Sequence, residues 1–170
     1  MNSITAHGQF TVCITERPIR ETALELSTEL TADGTPLLIL DAAGCFEPTA
    51  MSQAGPDLAR YAHILRVPSS ADFEAVWSSL LWAQQRFQAR RALVVGLLNH
   101  LYDPQIQTRD AARALGRIKT KLEALTQHGL EVMVVCESGS PSGTRAHFIP
   151  SLCASAHQVV EYRQPAVSVS

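Results

Sequence analysis

Short apolar runs alternate along the chain with longer segments in which apolar residues recur at helical spacing. The runs are four to six residues long, rich in β-branched side chains and bounded by polar, glycine or proline residues, which is typical of strands buried on both faces of a parallel sheet. They predict strands at 10–14, 37–40, 64–67, 93–98 and 132–136. Segment 156–163 alternates between apolar and polar residues and predicts a sixth strand at the edge of the sheet.

Three long segments and one short segment have the periodicity of helices. Segments 18–32, 71–88 and 108–128 predict long helices, and a shorter helix is predicted within 49–62, where Gly55 and Pro56 interrupt the pattern. In the two later long helices the spacing predicts buried faces that consist of Phe73, Val76, Trp77, Leu80 and Phe87 in one and of Leu115, Ile118, Leu122 and Leu125 in the other.

Strands that alternate with helices are joined by right-handed crossovers, which place helices on both faces of a mostly parallel sheet. We therefore predict an α/β fold, a single-domain three-layer α/β/α sandwich over residues 10–163, with an N-terminal arm at 1–9 and a flexible tail at 164–170. The length of 170 residues fits one domain. With 46% hydrophobic and 18% charged residues, the composition excludes wholesale disorder, a collagen-like repeat and a coiled-coil rod.

Charge, cysteine content and the lack of targeting signals restrict the expected cellular location and the expected binding partners. No apolar run approaches the roughly 20 residues needed to span a bilayer, and residues 1–10 lack the basic start and apolar core of a signal peptide, so we expect a soluble, cytoplasmic protein with no membrane partner. A formal net charge of −2 gives no global attraction for nucleic acid, and DNA binding would need a local basic patch. The four cysteines form no CxxC pair and the six histidines are scattered, so we expect buried, reduced thiols and no metal site.

Three segments that border predicted strands have a recognisable order and spacing. Segment 15–22 (TERPIRET) follows the first strand as an eight-residue loop, 40–48 (LDAAGCFEP) follows the second, and 93–102 (LVVGLLNHLY) holds the fourth strand and a Leu-Tyr pair after it. Together they resemble the core of the RecA-type recombinase ATPases over about residues 10–163, in pattern and spacing rather than in invariant motif residues. The resemblance implies a RecA-like topology of the P-loop NTPase type.

In that family the first of these segments is the phosphate-binding loop, G-x-x-x-x-G-K-[ST], whose glycines let backbone N–H groups turn towards the phosphates and whose lysine neutralises their charge. Here Thr15 and Arg20 stand at the glycine positions and Glu21 stands at the lysine position, so that only Thr22 fits. A carboxylate in place of a cation reverses the sign of the main electrostatic interaction with a phosphate. The resemblance therefore implies a degenerate nucleotide site.

The two acidic positions of the family are also changed. In segment 40–48 the residues Asp41, Gly44, Phe46 and Pro48 match the pattern, but the acid that helps to activate the attacking water falls on Ala43. The aspartate that supports Mg²⁺ at the end of the fourth strand falls on Gly96. We expect neither ATP nor Mg²⁺ as a cofactor and no catalytic residue. We interpret Asp41 itself as a helix-capping or hydrogen-bonding residue, because no lysine or second carboxylate is placed beside it.

These losses lead to a first hypothesis and several alternatives. The first is a non-catalytic, RecA-like pseudo-ATPase that acts as a binding or regulatory module in DNA recombination or repair, through an active RecA-family ATPase or DNA. One alternative is a cell-division inhibitor of the SulA type with a protein target. Another is an atypical ATPase that binds nucleotide through Thr22 with Arg17 or Arg20. An unrelated α/β domain that mimics the pattern is the remaining alternative.

Candidate partner surfaces lie outside the degenerate site. Four basic residues recur every fourth position of the long helix and drift by only about 40° a step, which predicts one basic stripe or an ordinary solvated face. In the RecA-type family a mobile loop after the fifth strand contacts DNA. The matching segment of this chain, 137–150, has the Ser/Gly-rich composition of a flexible loop, so the resemblance implies a DNA contact there. Trp82 is either covered by another element or exposed as an interface anchor. The family assembles side by side, often through a segment ahead of the core, and we expect that segment to be absent here. Formation of a homodimer remains an open alternative. The candidate residues are Arg109, Arg113, Arg117, Lys121, Arg145, His147 and Trp82.

Overall fold

Six strands form one sheet in which every described pair of neighbours is parallel. The computed structural model describes residues 8–67, 73–139, 143 and 145–162, so most of the predicted arm and all of the predicted tail lie outside the described residues. The sheet order is β3-β2-β4-β5-β1-β6. The strands are β1 (Phe10–Thr15), β2 (Leu37–Asp41), β3 (Ala62–Arg66), β4 (Arg91–Val95), β5 (Glu131–Glu137) and β6 (Gln158–Tyr162).

All six predicted strands are present, and β6 is an edge strand as predicted. The clearest difference in length is in β4, which was predicted to continue to residue 98 but ends at Val95. The cause is Gly96, whose φ of +75° turns the chain out of the extended conformation.

The helices are α1 (Ile19–Thr31), α2 (Pro48–Ala54), α3 (Pro56–Tyr61), α4 (Phe73–Phe87), α5 (Thr108–Gln127) and α6 (Phe148–Ser155). The three long helices were predicted to within one or two residues of these bounds. The single helix predicted within 49–62 is two helices, because Gly55 has a φ of +114° and Pro56 starts a new first turn. Helix α6 was not predicted; it begins in the last three residues of segment 137–150, which was expected to be a flexible loop, and continues to Ser155. None of the described helices is long and apolar enough to cross a membrane.

Helices cover both faces of the sheet, and the direction of each crossover decides the face. Connections that move towards β3 carry α1, α2 and α3, whereas connections that move towards β6 carry α4, α5 and α6. Two buried clusters result, one that includes Leu26, Ile39 and Phe46 and a larger one that includes Trp77 and Leu115. The arrangement is compatible with the predicted three-layer α/β/α sandwich.

The predicted buried faces of α4 and α5 pack against the larger cluster. Leu115, Ile118, Leu122 and Leu125 are buried, as are Val76, Trp77 and Leu80, which confirms the helical pattern. The side chain of Phe73 lies outside the described residues.

The carboxyl ends of the strands meet along one edge of the sheet, where ligands of doubly wound sheets bind. Neighbouring strands whose following helices go to opposite faces leave a crevice between them. This happens between β1 and β5, between β2 and β4, and between β2 and the edge strand β3. The three segments singled out in the sequence lie at the first two of these crevices.

Candidate functional site

The connection from β1 to α1 is too short to form a phosphate cradle. β1 ends at Thr15 and α1 begins at Ile19, so the connection is three residues long. The prediction of an eight-residue loop over 15–22 is wrong, because its second half is the first turn of α1. Pro18 has no N–H group, and the N–H group of Arg17 donates to Thr15 Oγ1 over 3.1 Å. The connection therefore lacks the run of inward-facing N–H groups that a bound phosphate needs.

A carboxylate of the protein lies at the N-terminus of α1. The backbone N–H group of Ile19 donates to Glu137 Oε1 over 2.9 Å. Glu137 ends β5 and pairs in register with Thr15 of β1, which brings it to the start of the helix. The first N–H groups of a helix are the place where an anion binds, through their unpaired donors and the helix dipole. Glu137 provides that anion from within the chain and would repel a phosphate.

Thr22, the residue that fits the family motif, is engaged inside the protein. It is fully buried, and its Oγ1 lies 2.8 Å from the Oγ1 of Thr15 in a hydrogen bond between the two hydroxyls. Thr15 Oγ1 also accepts the bond from the N–H group of Arg17. The hydroxyl of Thr22 thus joins β1 to α1, and it is not directed to a ligand.

The two arginines considered for nucleotide binding are each paired with carboxylates. Arg17 donates to both oxygens of Glu25, over 2.8 and 2.9 Å, and to Glu21 over 3.1 Å. The charge-assisted bonds between Arg17 and Glu25 raise the pKa of the arginine and lower the pKa of the glutamate. Arg20 lies 3.3 Å from Glu47, at the exposed start of α2. Neither guanidinium is presented at the N-terminus of α1 as a phosphate ligand.

Asp41 ends β2 and holds the turn that follows it. Its Oδ1 accepts from the N–H groups of Ala43 and Cys45, over 3.2 and 3.1 Å, and its Oδ2 accepts from the N–H group of Phe46 over 3.1 Å. The side chain is 2% exposed. The prediction of a hydrogen-bonding residue is confirmed, and the three N–H groups belong to a turn rather than to a helix terminus.

Ala43 and Gly96, the two positions at which the resemblance implies an acidic residue, lie against each other. A Cβ atom added to Gly96 would lie 2.5 Å from the Cβ of Ala43 and 2.8 Å from its backbone nitrogen. Asp41 fixes that nitrogen through its hydrogen bond. Glycine is favoured at this position for two reasons: a Cβ atom would meet Ala43, and Gly96 has a left-handed φ of +75°. The end of β4 is therefore closed against the turn after β2, with no room for a carboxylate at position 96.

Among the described residues, a small cavity lies at the ends of β4 and β5. Its volume is about 70 Å³, and its lining includes Ile19, Gly96, Tyr102, Cys136 and Glu137. Cavities that hold a drug-sized ligand measure roughly 300–1,000 Å³. This cavity has room for a few water molecules and not for a nucleotide.

The thiols near the strand ends are buried, as predicted. Burial raises the pKa of Cys13 and of Cys45 to about 11 and the pKa of Cys136 to about 12, so all three are protonated at neutral pH. Burial also raises the pKa of the half-buried Cys153. In the part of the chain that the structure describes, no three His, Cys, Asp or Glu residues are grouped to hold a metal ion.

A larger groove, which the sequence analysis missed, lies beside α1. Its volume is about 650 Å³, and it is bounded by α1, α2 and the end of β6. At the rim of the groove the Tyr162 hydroxyl donates to Glu25 over 2.7 Å. Burial, and to a smaller extent this hydrogen bond, raises the pKa of Tyr162. Glutamates at every fourth position of α1 predict an acidic helix face, but the groove itself depends on the packing of α2 and β6 beside α1, which has no local signal in the sequence. The lining consists of Arg17, Leu24, Glu25, Thr28, Glu29, Ala50, Gln53, Ala54 and Tyr162.

The predicted basic stripe lies on one helix, and Arg145 lies outside that helix. All four stripe residues, Arg109, Arg113, Arg117 and Lys121, are exposed on α5. The guanidinium of Arg145 instead donates to the backbone oxygens of Leu101, Asp103 and Ile106. It therefore fastens the segment before α6 to the segment before α5. His147 is exposed beside the edge of the Phe148 ring.

Trp82 is exposed, whereas Trp77 is part of the core. Trp82 is 62% exposed and meets Phe87 edge-on, with 6.3 Å between the ring centroids, while Trp77 is 4% exposed. Leu81, the neighbour of Trp82, is 38% exposed and lines a narrow groove between α4 and α5 with Lys121 and His128. The alternative in which another element covers Trp82 is therefore wrong, and the side chain is exposed.

A scan of protein-family models found no match to this chain, and no curated protein is significantly similar to it.

Proposed function

We propose that this chain is a non-catalytic, RecA-like binding or regulatory module of DNA recombination or repair, which acts through an active RecA-family ATPase or through DNA. The observation that carries the proposal is the bond between Ile19 N–H and Glu137. It fills the anion position at the start of α1 with a carboxylate from the neighbouring strand. A chain with this arrangement keeps a frame for nucleotide binding without the means to hold a phosphate.

The placement of the three altered segments supports the RecA-like topology of this proposal. Residues that share one phosphoryl-transfer site must lie together, and the two acid positions inferred from the pattern, Ala43 and Gly96, are in contact. Segment 15–22 begins at the same edge of the sheet, because Thr15 is the last residue of β1. The sheet order also differs from the 3-2-1-4-5-6 order of dinucleotide-binding folds and the 2-1-3-4-5 order of flavodoxin-like folds.

Thermal unfolding with and without Mg-ATP tests the absence of nucleotide binding. A ligand at 100 times its Kd stabilises the folded state by about 2.7 kcal/mol, which for a domain of this size raises the Tm by roughly 5–10 °C. We expect no change in Tm at about 5 mM Mg-ATP or Mg-ADP, a range in which even a Kd near 50 µM would give that stabilisation. A known P-loop ATPase run in parallel is the positive control. A rise of several degrees would contradict the proposal.

The basic stripe on α5 makes DNA a measurable partner. We expect a labelled single-stranded oligonucleotide to bind in low salt and to dissociate as salt is raised, because cations released from the phosphates drive such binding. Arg113→Ala with Arg117→Ala should weaken it and reduce the slope of log K against log salt by about 1.4, roughly 0.7 for each lost phosphate contact on a single strand.

A matched double variant separates the stripe from net charge. Arg20→Ala with Arg60→Ala removes two exposed arginines from the opposite face of the sheet, and it should leave the salt slope unchanged. Equal effects of the two double variants, or binding that ignores salt, would exclude the stripe as a DNA site. A complete absence of binding would leave the protein partner as the proposed target.

A further inference from the structure

The outer surface of α4 and α5 combines exposed apolar side chains with positive charge. We name it the basic-aromatic face and define it by Leu81, Trp82, Arg113, Arg117 and Lys121. Trp82 is 62% exposed, although an indole ring is among the side chains that contribute most when buried at an interface. Helix α5 carries five basic residues against two acidic ones, Asp110 and Glu123.

The basic stripe and the exposed apolar residues meet at one end of this face. The stripe drifts by about 40° at each four-residue step, so that it approaches α4 towards the C-terminal end of α5. There Lys121 and Leu81 line the same narrow groove. Whatever covers Trp82 and Leu81 must therefore also face positive charge.

The groove beside α1 has the opposite charge and an apolar floor. We name it the acidic groove and define it by Leu24, Glu25, Glu29, Ala54 and Tyr162. Helix α1 carries three acidic residues against one basic one. Arg17 also lines the groove and pairs with Glu21 and Glu25, so the charged lining residues, Glu25 and Glu29 against Arg17, keep one net negative charge. At about 650 Å³ the groove has room for an indole ring and a leucine side chain.

The two surfaces lie on opposite faces of the sheet. Helices α4 and α5 cover one face, and α1 and α2 cover the other, so a chain cannot place its own basic-aromatic face in its own acidic groove. Two copies that met through identical surfaces would set basic against basic or acidic against acidic. Complementary contact requires different surfaces on the two copies.

We infer that the basic-aromatic face of one copy docks in the acidic groove of a second copy of this chain. Trp82 and Leu81 enter the groove against Leu24 and Ala54, and the stripe lies along the glutamates of α1. Charges on both helices recur every four residues, a rise of about 6 Å, so successive pairs stay in step when the helices lie side by side. This inference goes beyond the proposed function and does not rest on it. Arg113 and Arg117 also belong to the stripe tested for DNA binding, so DNA and a second copy would compete for that part of the face.

Such a contact is heterologous, because each copy uses a different surface, and it does not close into a two-fold dimer. Sedimentation equilibrium from about 10 to 300 µM, a range that covers a Kd near 100 µM, measures it directly. We expect the weight-average mass to rise above the 18.5 kDa of one chain as concentration increases. Raising salt from about 50 to 500 mM should reverse the rise, because exposed charges are then screened beyond a few ångströms.

Variants of the two surfaces identify the contact. Trp82→Ala removes the side chain that enters the groove, and Glu29→Lys places a cation inside it. Each variant alone should weaken association at least about tenfold, the effect expected of an interface anchor. Val159→Ala is the matched control, since Val159 is 47% exposed on β6 and belongs to neither surface. All variants change exposed residues, and unchanged thermal unfolding confirms that they fold.

An equimolar mixture of Trp82→Ala and Glu29→Lys gives the sharpest result. The first variant keeps an intact groove and the second keeps an intact Trp82, so that one contact can form between them, and the mixture should associate only as far as pairs. A wild-type chain that stays monomeric throughout the range overturns the inference. So does association that neither variant weakens, or a mixture that stays monomeric. The nucleotide experiment tests the proposed function separately, so the two can fail independently.

Discussion

Replacing Gly96 with alanine is expected to lower the free energy of unfolding by about 2–5 kcal/mol. A non-glycine residue with a left-handed backbone costs roughly 1–2 kcal/mol. Crowding in a packed interior typically adds about 1–3 kcal/mol. Both costs apply here, because Gly96 has a φ of +75° and its added Cβ would lie 2.5 Å from the Cβ of Ala43.

Urea unfolding of Gly96→Ala measures this cost, and Gly116→Ala is the control. Gly116 lies within α5, where an added Cβ meets nothing within 4 Å, so the control should gain up to about 1 kcal/mol from helix propensity. Adding Ala43→Gly to Gly96→Ala should recover part of the loss, because it removes the closest atom while the left-handed backbone remains. Equal stabilities of the two glycine-to-alanine variants would show that the ends of β2 and β4 are not held together.

The same geometry leaves no room for an aspartate at position 96. An aspartate at position 96 would meet Ala43 before its carboxylate could reach a ligand. In the sequence, Gly96 is notable only as the position at which the resemblance implies an aspartate. In the structure Gly96 has a packing role, because the lack of a side chain lets the end of β4 lie against the turn that Asp41 stabilises. Why glycine stands at this position depends on a contact between residues 53 positions apart, which no local pattern contains.

Periodic burial made most of the fold predictable from the sequence. The β-branched strands and the apolar faces of α4 and α5 can be recognised locally, because the residues that face the core recur at the period of a strand or a helix. Helix α6 was missed because it is short, follows a Ser/Gly-rich segment and contains Pro150. That proline lies in the first turn of α6, where a missing N–H group costs nothing, so it does not end the helix. The order of the strands in the sheet has no local signal either.

The candidate site was predictable only where its contacts are local. Asp41 bonds to N–H groups two to five residues ahead, and the lack of a lysine or second carboxylate beside it in the sequence suggested such a role. Glu137 binds the N–H group of Ile19 across 118 residues, through the adjacency of β1 and β5. The carboxylate at the start of α1 therefore became visible only with the sheet order.

Replacing Asp41 with asparagine is expected to lower the free energy of unfolding by about 2–4 kcal/mol. The carboxylate accepts three N–H groups at a site that is 2% exposed, and bonds to a charged acceptor contribute about 1.5–3 kcal/mol each. Asparagine can turn its oxygen to Ala43 and Cys45, but its NH₂ group then faces the N–H group of Phe46. That leaves a buried donor without an acceptor, which by itself costs about 1–3 kcal/mol.

Urea unfolding and amide hydrogen exchange together test this role, with Asp57→Asn as the matched control. Asp57 is exposed in the first turn of α3, where loss of a negative charge costs roughly 0.3–1 kcal/mol. The Phe46 amide should exchange faster in Asp41→Asn, because its acceptor is gone. If Asp41→Asn costs no more than the control, Asp41 does not hold the turn. The closure of Ala43 against Gly96 would then need another cause, since Asp41 fixes the backbone nitrogen on which that closure depends.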